Sequence, residues 1–334
     1  MIIHLMLNSL FVFLILMLLI ELSLWSLGIK NSRVRYLCRA LAFMKIPFDL
    51  LTFLFFEHSP LVNLNPLSCE VYVYQLGAQL FPLYFESTPV DSSPLIIPHY
   101  LASQLPIHWL YGLNGFVITV ALTGVVFKLY QLKIAHQYLQ TVLGTAKPYL
   151  KHILNPLLEQ DLEKKQARIG ISSRIQIPCA IGSKYIILPQ QNLESLSVQE
   201  LEAVIAHELQ HLHWRDPFLK WGCTIISTFC WWIPTNGWMK RIIMAQEEAC
   251  DAGIHRYKIN PYDLAHALYK ILHTAPVEPK LSLVCLLASS SQRHLSRIKH
   301  ILNNQALVLN YEYQFKDIIA GVFCLSIFFC FWMC

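Results

Sequence analysis

Charged residues are scarce in this sequence of 334 residues: only 14% are Asp, Glu, Lys or Arg, while 55% are hydrophobic. A typical soluble domain has about 25% charged residues, so this composition argues against a cytosolic globular enzyme. Lys and Arg are absent from residues 46–127, and none of the ten cysteines forms a C-x-x-C pair. The absence of a C-x-x-C pair argues against a thioredoxin-like redox site and against a zinc ribbon. We therefore expect a membrane protein that carries one modest soluble domain.

Four hydrophobic runs have the composition of membrane-spanning helices. A helix needs about 20 predominantly apolar residues to cross a bilayer, and the first and third runs meet this length comfortably. The runs are residues 2–27, 40–56, 107–127 and 318–332. The sequence predicts four transmembrane helices.

The distribution of basic residues predicts how these helices are oriented. Short loops rich in Lys and Arg stay in the cytoplasm, and the connector after the first run contains Lys30, Arg33, Arg35 and Arg39. Residues 57–106 contain acidic side chains but no Lys or Arg, so we expect an external loop there. This arrangement predicts an external N-terminus, and it puts the region after residue 127 in the cytoplasm.

Residues 198–216 contain the motif with the clearest chemistry. Ser197 and Glu200 form a capping-box pattern that predicts the start of a helix. On that helix His207 and His211 lie one turn apart, with Glu208 directly after the first histidine. An H-E-x-x-H pattern on a helix offers two imidazoles to one zinc ion and a carboxylate that can act as general base. The sequence thus predicts a zinc site, with Zn²⁺ as cofactor.

A catalytic zinc needs a third protein ligand, and the best candidate is Glu247 in the helical run at 238–255. Asp251 follows four residues later on the same helix face and could hold a ligand histidine by its free N–H. Glu248, the alternative ligand, is rotated by about 100° away from that face. Asp216 has two open interpretations: it braces the first motif, or it ends the helix before Pro217.

The segments around the motif suggest how the two halves of the site meet. Residues 174–177 and 185–188 are predicted strands on either side of a turn at Gly182, and a helix over 156–168 is predicted to end at Gly170. Residues 218–234 are hydrophobic enough to span a membrane, but one crossing would separate Glu247 from His207. We therefore predict a hairpin that turns at 234–237. Residues 293–302 are predicted to form a basic amphipathic helix.

Three stretches together resemble the BlaR/MecR antirepressor family of membrane zinc metallopeptidases. They are I-P-C-A-I-G-S-K-Y-I-I-L-P, H-E-L-Q-H-L-H-W-R-D-P and Q-E-E-A-C-D-A. The resemblance implies that His207, His211 and Glu247 bind zinc and that Glu208 is the general base. It also implies a cytoplasmic gluzincin-type metalloprotease domain. Sensing members carry an extracellular penicillin-binding domain after the last span, and the expectation here is a chain without that sensor domain.

The predicted architecture is a mainly α membrane protein with four transmembrane helices and a cytoplasmic gluzincin-type zinc metalloprotease domain that contains a small β-sheet. Residues 1–127 form the N-terminal membrane region, 128–305 the metalloprotease domain and 318–334 the last transmembrane helix. Zinc would acidify a water molecule, Glu208 would take its proton, and the hydroxide would attack a peptide carbonyl.

The resemblance implies an endopeptidase of the cytoplasmic membrane that responds to an external signal. Its expected substrate is a cytoplasmic protein, such as a DNA-binding repressor, or the chain itself. A sensor partner or a homodimer is possible, and direct nucleic-acid binding is not expected. One alternative is a quality-control protease like the heat-shock and prenyl-CAAX endoproteases. The other is a non-catalytic, zinc-stabilised membrane receptor, against which the presence of Glu208 argues.

Overall fold

The structure is a computed structural model that describes residues 2–56, 107–149, 153–230, 233–274, 297–299, 301–302 and 315–333. The predicted external loop at 57–106 lies outside the described residues. Half of the predicted basic helix at 293–302 is described, residues 297–299 and 301–302, and these residues are helical.

The described residues are mainly helical, and the predicted helices form where the hydrophobic periodicity indicated them. In chain order they are α1 (Ile2–Ser26), α2 (Ser32–Phe56), α3 (Ile107–Thr145), α4 (Pro156–Lys165), α5 (Val198–Trp214), α6 (Asp216–Phe229), α7 (Thr235–Gly253), α8 (Pro261–Thr274) and α9 (Phe315–Met333). Short 3₁₀ turns lie before α5, at Gln190–Asn192, and after α7, at Ile254–Tyr257.

Each of the four predicted spans is helical, but the described residues contain one stretch that is both long and apolar enough to cross a membrane. This stretch is Ile118–Thr145 of α3, and little of it is buried inside the structure. Shorter apolar stretches occur at Phe13–Ser26 of α1 and Asp317–Ile327 of α9. α3 continues without a break past residue 127, so the predicted boundary between membrane region and peptidase domain falls inside a continuous helix.

A small mixed sheet lies beside α5. Its strands are β1 (Lys147–Pro148), β2 (Arg168–Ser172), β3 (Cys179–Ile181) and β4 (Tyr185–Pro189), arranged in the order β1-β2-β4-β3. β4 pairs in parallel with β2 and antiparallel with β3, and Gly182 makes the intervening turn with a φ of 62°. The sheet leaves β3 as an edge strand next to α5.

Two local predictions around this sheet were wrong. Residues 174–177 form turns rather than a strand; the Ser172 hydroxyl accepts a hydrogen bond from the Arg174 amide at 3.2 Å, and such a local bond competes with strand pairing. Helix α4 ends at Lys165 because Gln166 adopts a left-handed conformation with a φ of 52°. Gly170, the predicted helix end, instead lies within β2.

Helices α6 and α7 form the predicted hairpin, but the chain turns earlier than expected. α6 ends at Phe229 and α7 begins at Thr235, so residues 235–237 of the predicted turn are helical and the chain reverses before Thr235. Pro234 directly precedes the new helix, a position where the backbone N–H that proline lacks is not needed for helical hydrogen bonding. The hairpin returns the chain to α5, which brings the second half of the motif to the first.

The buried side chains form two main cores that meet at α7. The first, which we call the peptidase core, packs α5 against α4, β4 and α8 and contains Leu158, Leu188, Val204 and Leu268. The second, the bundle core, joins α1, α2 and α9 with α6 and α7 and contains Phe13, Phe43, Trp238 and Ala320. Helix α7 contacts both α5 and α2, so it connects the two cores.

Candidate metal centre and active site

Helix α5 begins and ends at the positions that its local chemistry requires. The Ser197 hydroxyl accepts from the Glu200 amide at 3.2 Å, and the Glu200 carboxylate accepts from the Ser197 amide at 2.7 Å, which is the predicted capping box. The helix stops at Arg215, a left-handed residue with a φ of 58°. Asp216 then starts α6, so the first helix does end just before Pro217.

The three predicted ligand side chains converge in the buried space between α5 and α7. His207 Nε2 lies 3.2 Å from His211 Nε2. Glu247 Oε2 is 3.4 Å from His207 Nε2, and Glu247 Oε1 is 3.6 Å from His211 Nε2. All three residues are at most 9% exposed. These groups could hold a metal ion.

The distances fit a tetrahedral ion with short bonds. Zinc binds histidine nitrogen and carboxylate oxygen at about 2.0–2.2 Å, so two ligand atoms of a tetrahedral site are separated by about 3.3 Å. The separations of 3.2 to 3.6 Å between the three side chains are close to this value. Two nitrogens and one oxygen also match the donors that zinc takes in catalytic sites.

An aspartate contacts the other ring nitrogen of each histidine. Asp216 Oδ2 lies 2.8 Å from His211 Nδ1, within hydrogen-bonding distance. Asp251 Oδ1 lies 2.9 Å from His207 Nδ1, although the ring N–H has no well-aligned hydrogen-bond acceptor among the described residues, so we regard this contact as mainly electrostatic. Asp216 thus contacts His211, as the interpretation that it braces the first motif requires, whereas the end of α5 is set by Arg215. Each aspartate favours the tautomer that leaves Nε2 as the free donor atom.

The ionisation of the site favours a bound positive charge. Burial lowers the pKa of His207, but Asp251 and Glu247 outweigh it, so the pKa is raised. Burial raises the pKa of Glu247, yet Arg297 and then His211 hold it well below the ordinary value. Carboxylates that stay ionised beside imidazoles stabilise a cation, whether a proton or a metal ion.

Glu248 does not enter this cluster. Its Oε2 accepts a hydrogen bond from the Ser32 hydroxyl at 3.0 Å and lies 3.3 Å from Arg35 Nη1. Both partners are on α2, on the opposite side of α7 from the two histidines. The structure thus separates the two candidate carboxylates, as the rotation of about 100° per residue predicts.

Glu208 is buried on α5 between the cluster and edge strand β3. It is 7% exposed, and its charge acts on Arg297 on one side and on Cys179 of β3 on the other. Burial first, and then Glu208, raise the pKa of Cys179 to about 12. Among the described residues, no hydrogen bond or ion pair engages the Glu208 carboxylate, so its oxygens are available to another group.

Arg297 also reaches the centre of the site, which the sequence did not indicate. Its Nη1 lies 2.8 Å from Glu247 Oε2 and its Nη2 lies 2.6 Å from Asp251 Oδ1. Lys220 of α6 approaches Glu247 Oε1 at 3.7 Å. The basic helix predicted at 293–302 was the available signal, but nothing in its pattern distinguished Arg297 from its basic neighbours.

Cys250 packs behind His211. Together with His211 and Asp216 it forms a second group of side chains that could hold a metal ion. Its Sγ lies 3.3 Å from His211 Nδ1 and 3.7 Å from Asp216 Oδ2. Burial raises the pKa of this thiol to about 12, so it is neutral near pH 7. A neutral thiol is a poor ligand, and this group shares His211 with the first one.

Gly253 lets the two helices approach closely enough to join the halves of the site. A Cβ atom at this position would lie 2.6 Å from Gln210 Cγ. The Gln210 amide donates to the Tyr257 hydroxyl at 3.2 Å, and that hydroxyl donates to Asp161 at 3.0 Å. Because these bonds fix the Gln210 side chain, a larger residue at 253 would push α7 away from α5.

Comparison with known proteins agrees with this geometry. Residues 98–301 match the BlaR1 peptidase M56 family, a range that covers more than half of the chain and all the clustered side chains. No curated relative matches the sequence. On the strength of that match, the chain belongs to the BlaR1 peptidase M56 family.

Proposed function

We propose that this protein is a zinc-dependent endopeptidase whose ligands are His207, His211 and Glu247. The observation that carries the proposal is the set of ligand separations between 3.2 and 3.6 Å, with an aspartate on the far nitrogen of each histidine. Bound there, zinc would supply a Lewis acid that polarises a peptide carbonyl and makes water acidic enough to react near pH 7.

Glu208 is the proposed general base. It follows His207 on α5, it is buried, and among the described residues it has no hydrogen-bond partner that would consume its lone pairs. It would accept a proton from the attacking water and pass that proton to the leaving amide nitrogen, so the carboxylate is regenerated at the end of the cycle. Asp216 and Asp251 would keep both imidazoles in the tautomer that the ligand role requires.

The substrate class that we propose is a cytoplasmic protein, such as a transcriptional repressor, or the chain itself, cleaved in response to an external signal. Membership of the BlaR1 peptidase family supports this choice. A buried centre beside an edge strand suits an extended peptide, because an edge strand offers unpaired backbone groups to another chain. A sensor partner or a second copy of the chain would supply the signal.

We propose that the protein is located in the cytoplasmic membrane, with its N-terminus external and its catalytic centre cytoplasmic. The exposed apolar surface of α3 supports membrane insertion. The absence of Lys and Arg from 46–127 supports this orientation, as do the basic residues at the junction of the first two helices, Lys30 before α2 and Arg33, Arg35 and Arg39 within it.

The decisive experiment replaces Glu208 with Gln, which removes the base but keeps the size of the side chain. We expect cleavage of a candidate repressor to fall by about 10²-fold or more, while the full-length protein retains stoichiometric zinc. Glu194→Gln is the matched control, because Glu194 is exposed and lies outside the cluster. Full activity of Glu208→Gln, or zinc-free wild-type protein after purification with zinc present, would contradict the proposal.

A further inference from the structure

Arg297 makes more contacts to the clustered side chains than a surface ion pair would. Its Nε lies 3.1 Å from Asp251 Oδ2 and its Nη2 lies 2.6 Å from Asp251 Oδ1, so the guanidinium grips both oxygens of that carboxylate. Its Nη1 reaches Glu247 Oε2 at 2.8 Å. The side chain is only 10% exposed. One cation therefore links two carboxylates that lie one helical turn apart on α7.

The linked carboxylates have different positions relative to the histidines. Glu247 faces the Nε2 atoms, whereas Asp251 approaches Nδ1 of His207. The same guanidinium also comes within 3.4 Å of His207 Nε2. Arg297 thus touches three members of the cluster. A shift of its side chain would disturb the Glu247 and Asp251 carboxylates, which both contact His207.

We propose that Arg297 is a positioning residue that holds Glu247 and Asp251 in the relative orientation needed to bind the metal. This inference rests on the proposed function. A guanidinium is a planar fork whose donors match a carboxylate at two points, so it fixes the angle of the Asp251 carboxylate as well as its distance. With Asp251 fixed, His207 is held in one ring orientation, and Glu247 is left with Oε1 directed towards His211.

The charge of the site gives a second reason for an arginine at this position. Glu208, Glu247, Asp251 and Asp216 are all at most 9% exposed, and a buried charge is costly unless it is paired and hydrogen-bonded. Arg297 keeps its charge under all conditions in which the protein is folded, so it compensates these acids permanently.

The backbone of Arg297 is anchored by its neighbours. Ile301 is 7% exposed and belongs to the peptidase core, and Ile298 packs against the same core. Apolar packing of Ile298 and Ile301 therefore holds the backbone next to Arg297 in place, and this limits where the guanidinium can lie. Lys299, on the same segment, is exposed and provides a matched control.

The test measures zinc affinity of the full-length protein in detergent micelles by competition with a chromogenic chelator. We expect Arg297→Gln to weaken zinc binding by about 10–100-fold, the range for loss of a partner that orients a metal ligand. Arg297→Lys should recover only part of this loss, because an ammonium provides one point of charge and no fork. Lys299→Gln should bind zinc like the wild type.

Cobalt substitution adds a readout that separates geometry from folding. The visible spectrum of bound Co²⁺ reports the coordination geometry, so we expect Arg297→Gln to alter the band positions, while Lys299→Gln leaves them unchanged. Circular dichroism and the thermal midpoint verify that each variant is folded. Should Arg297→Gln prove unfolded, Arg297→Lys carries the same comparison with the charge retained, and its weakened affinity is then the expected result.

A double-mutant cycle tests whether Arg297 acts through Asp251. The effects of Arg297→Gln and Asp251→Asn on zinc affinity should be less than additive, since contacting residues that share one role are coupled. Full additivity, or zinc affinity in Arg297→Gln equal to or tighter than the wild type, would overturn the inference while leaving the proposed function intact. Wild-type protein that binds no zinc would overturn both.

Discussion

The two faces of α7 contact very different parts of the molecule. One face presents Glu247 and Asp251 to the histidines of α5. The other face packs along α2, where Glu248 contacts Ser32 and the Trp238 indole donates to the backbone carbonyl of Arg39 at 2.9 Å. Two adjacent glutamates thus contact different helices, because successive helical residues are rotated by about 100°.

This difference shows that the position of Glu247, the proposed third ligand, depends on the contacts of α7 with both α5 and α2. α7 is held to α5 through the clustered side chains and to α2 through apolar packing and polar contacts in the bundle. Arg39 extends the contact: it pairs with Glu21 of α1 at 2.9 Å and donates to the Arg241 carbonyl of α7. A displacement of α2 would therefore be transmitted to the helix that carries Glu247.

The largest expected effect comes from changing one glutamate and then the other. Glu247→Ala removes a proposed ligand, so we expect its zinc affinity to fall by more than the 10–100-fold that loss of an orienting partner costs. Glu248→Ala removes only contacts to α2, and we expect its zinc affinity to stay within about threefold of the wild type. Chelator competition on both full-length variants provides the measurement. Loss of zinc from Glu248→Ala with retention by Glu247→Ala would reverse the assignment of the two faces.

An intermediate effect is expected when the partners of the histidines lose their charge. Asp251→Asn and Asp216→Asn should each weaken zinc binding by about 10–100-fold, because each aspartate orients one imidazole. Asp263→Asn on α8, outside the cluster, is the control. Affinities unchanged in both variants would mean that packing alone fixes the two rings.

The smallest effect on zinc is expected on the opposite face of α7. Trp238→Phe removes the indole donor to Arg39 and leaves a small cavity in the bundle core, at a cost of about 1–3 kcal/mol in stability. We expect a lower thermal midpoint in detergent but a zinc affinity like that of the wild type. A large loss of zinc without a change in the midpoint would show that the two faces are coupled more tightly than their contacts indicate.

Much of this comparison could be predicted from the sequence because it rests on short-range rules. Helical spacing placed His207 and His211 on one side of α5 and separated Glu247 from Glu248. The capping box fixed the first turn of α5, and the requirement that three ligands meet at one ion implied the hairpin of α6 and α7. The four spans and the cytoplasmic location of the centre remain predictions, since they depend on a membrane.

The local errors have a common physical cause. Residues 174–177 have strand-like composition, yet the hydrogen bond from the Arg174 amide to Ser172 closes a turn, and β2 forms one segment earlier. Gln166 ends α4 in a left-handed conformation that few residues other than glycine adopt, whereas the preference for glycine after a helix had predicted the end at Gly170. In both places the local backbone conformation, and not the residue composition, set where the element ends or begins.

By itself, the sequence determined the chemistry at the centre: which residue types are present, at what helical spacing, and on which face of α5 or α7 each one lies. The tertiary structure alone decided which distant side chain joins them. Arg297 is 46 residues beyond Asp251 along the chain, and no local pattern links the two, because their contact arises only when the segment at 297–302 packs on the peptidase core. Long-range packing likewise decided that Glu248 contacts α2. The face of α7 that carries Glu248 finds this partner only because the fold places α2 beside it.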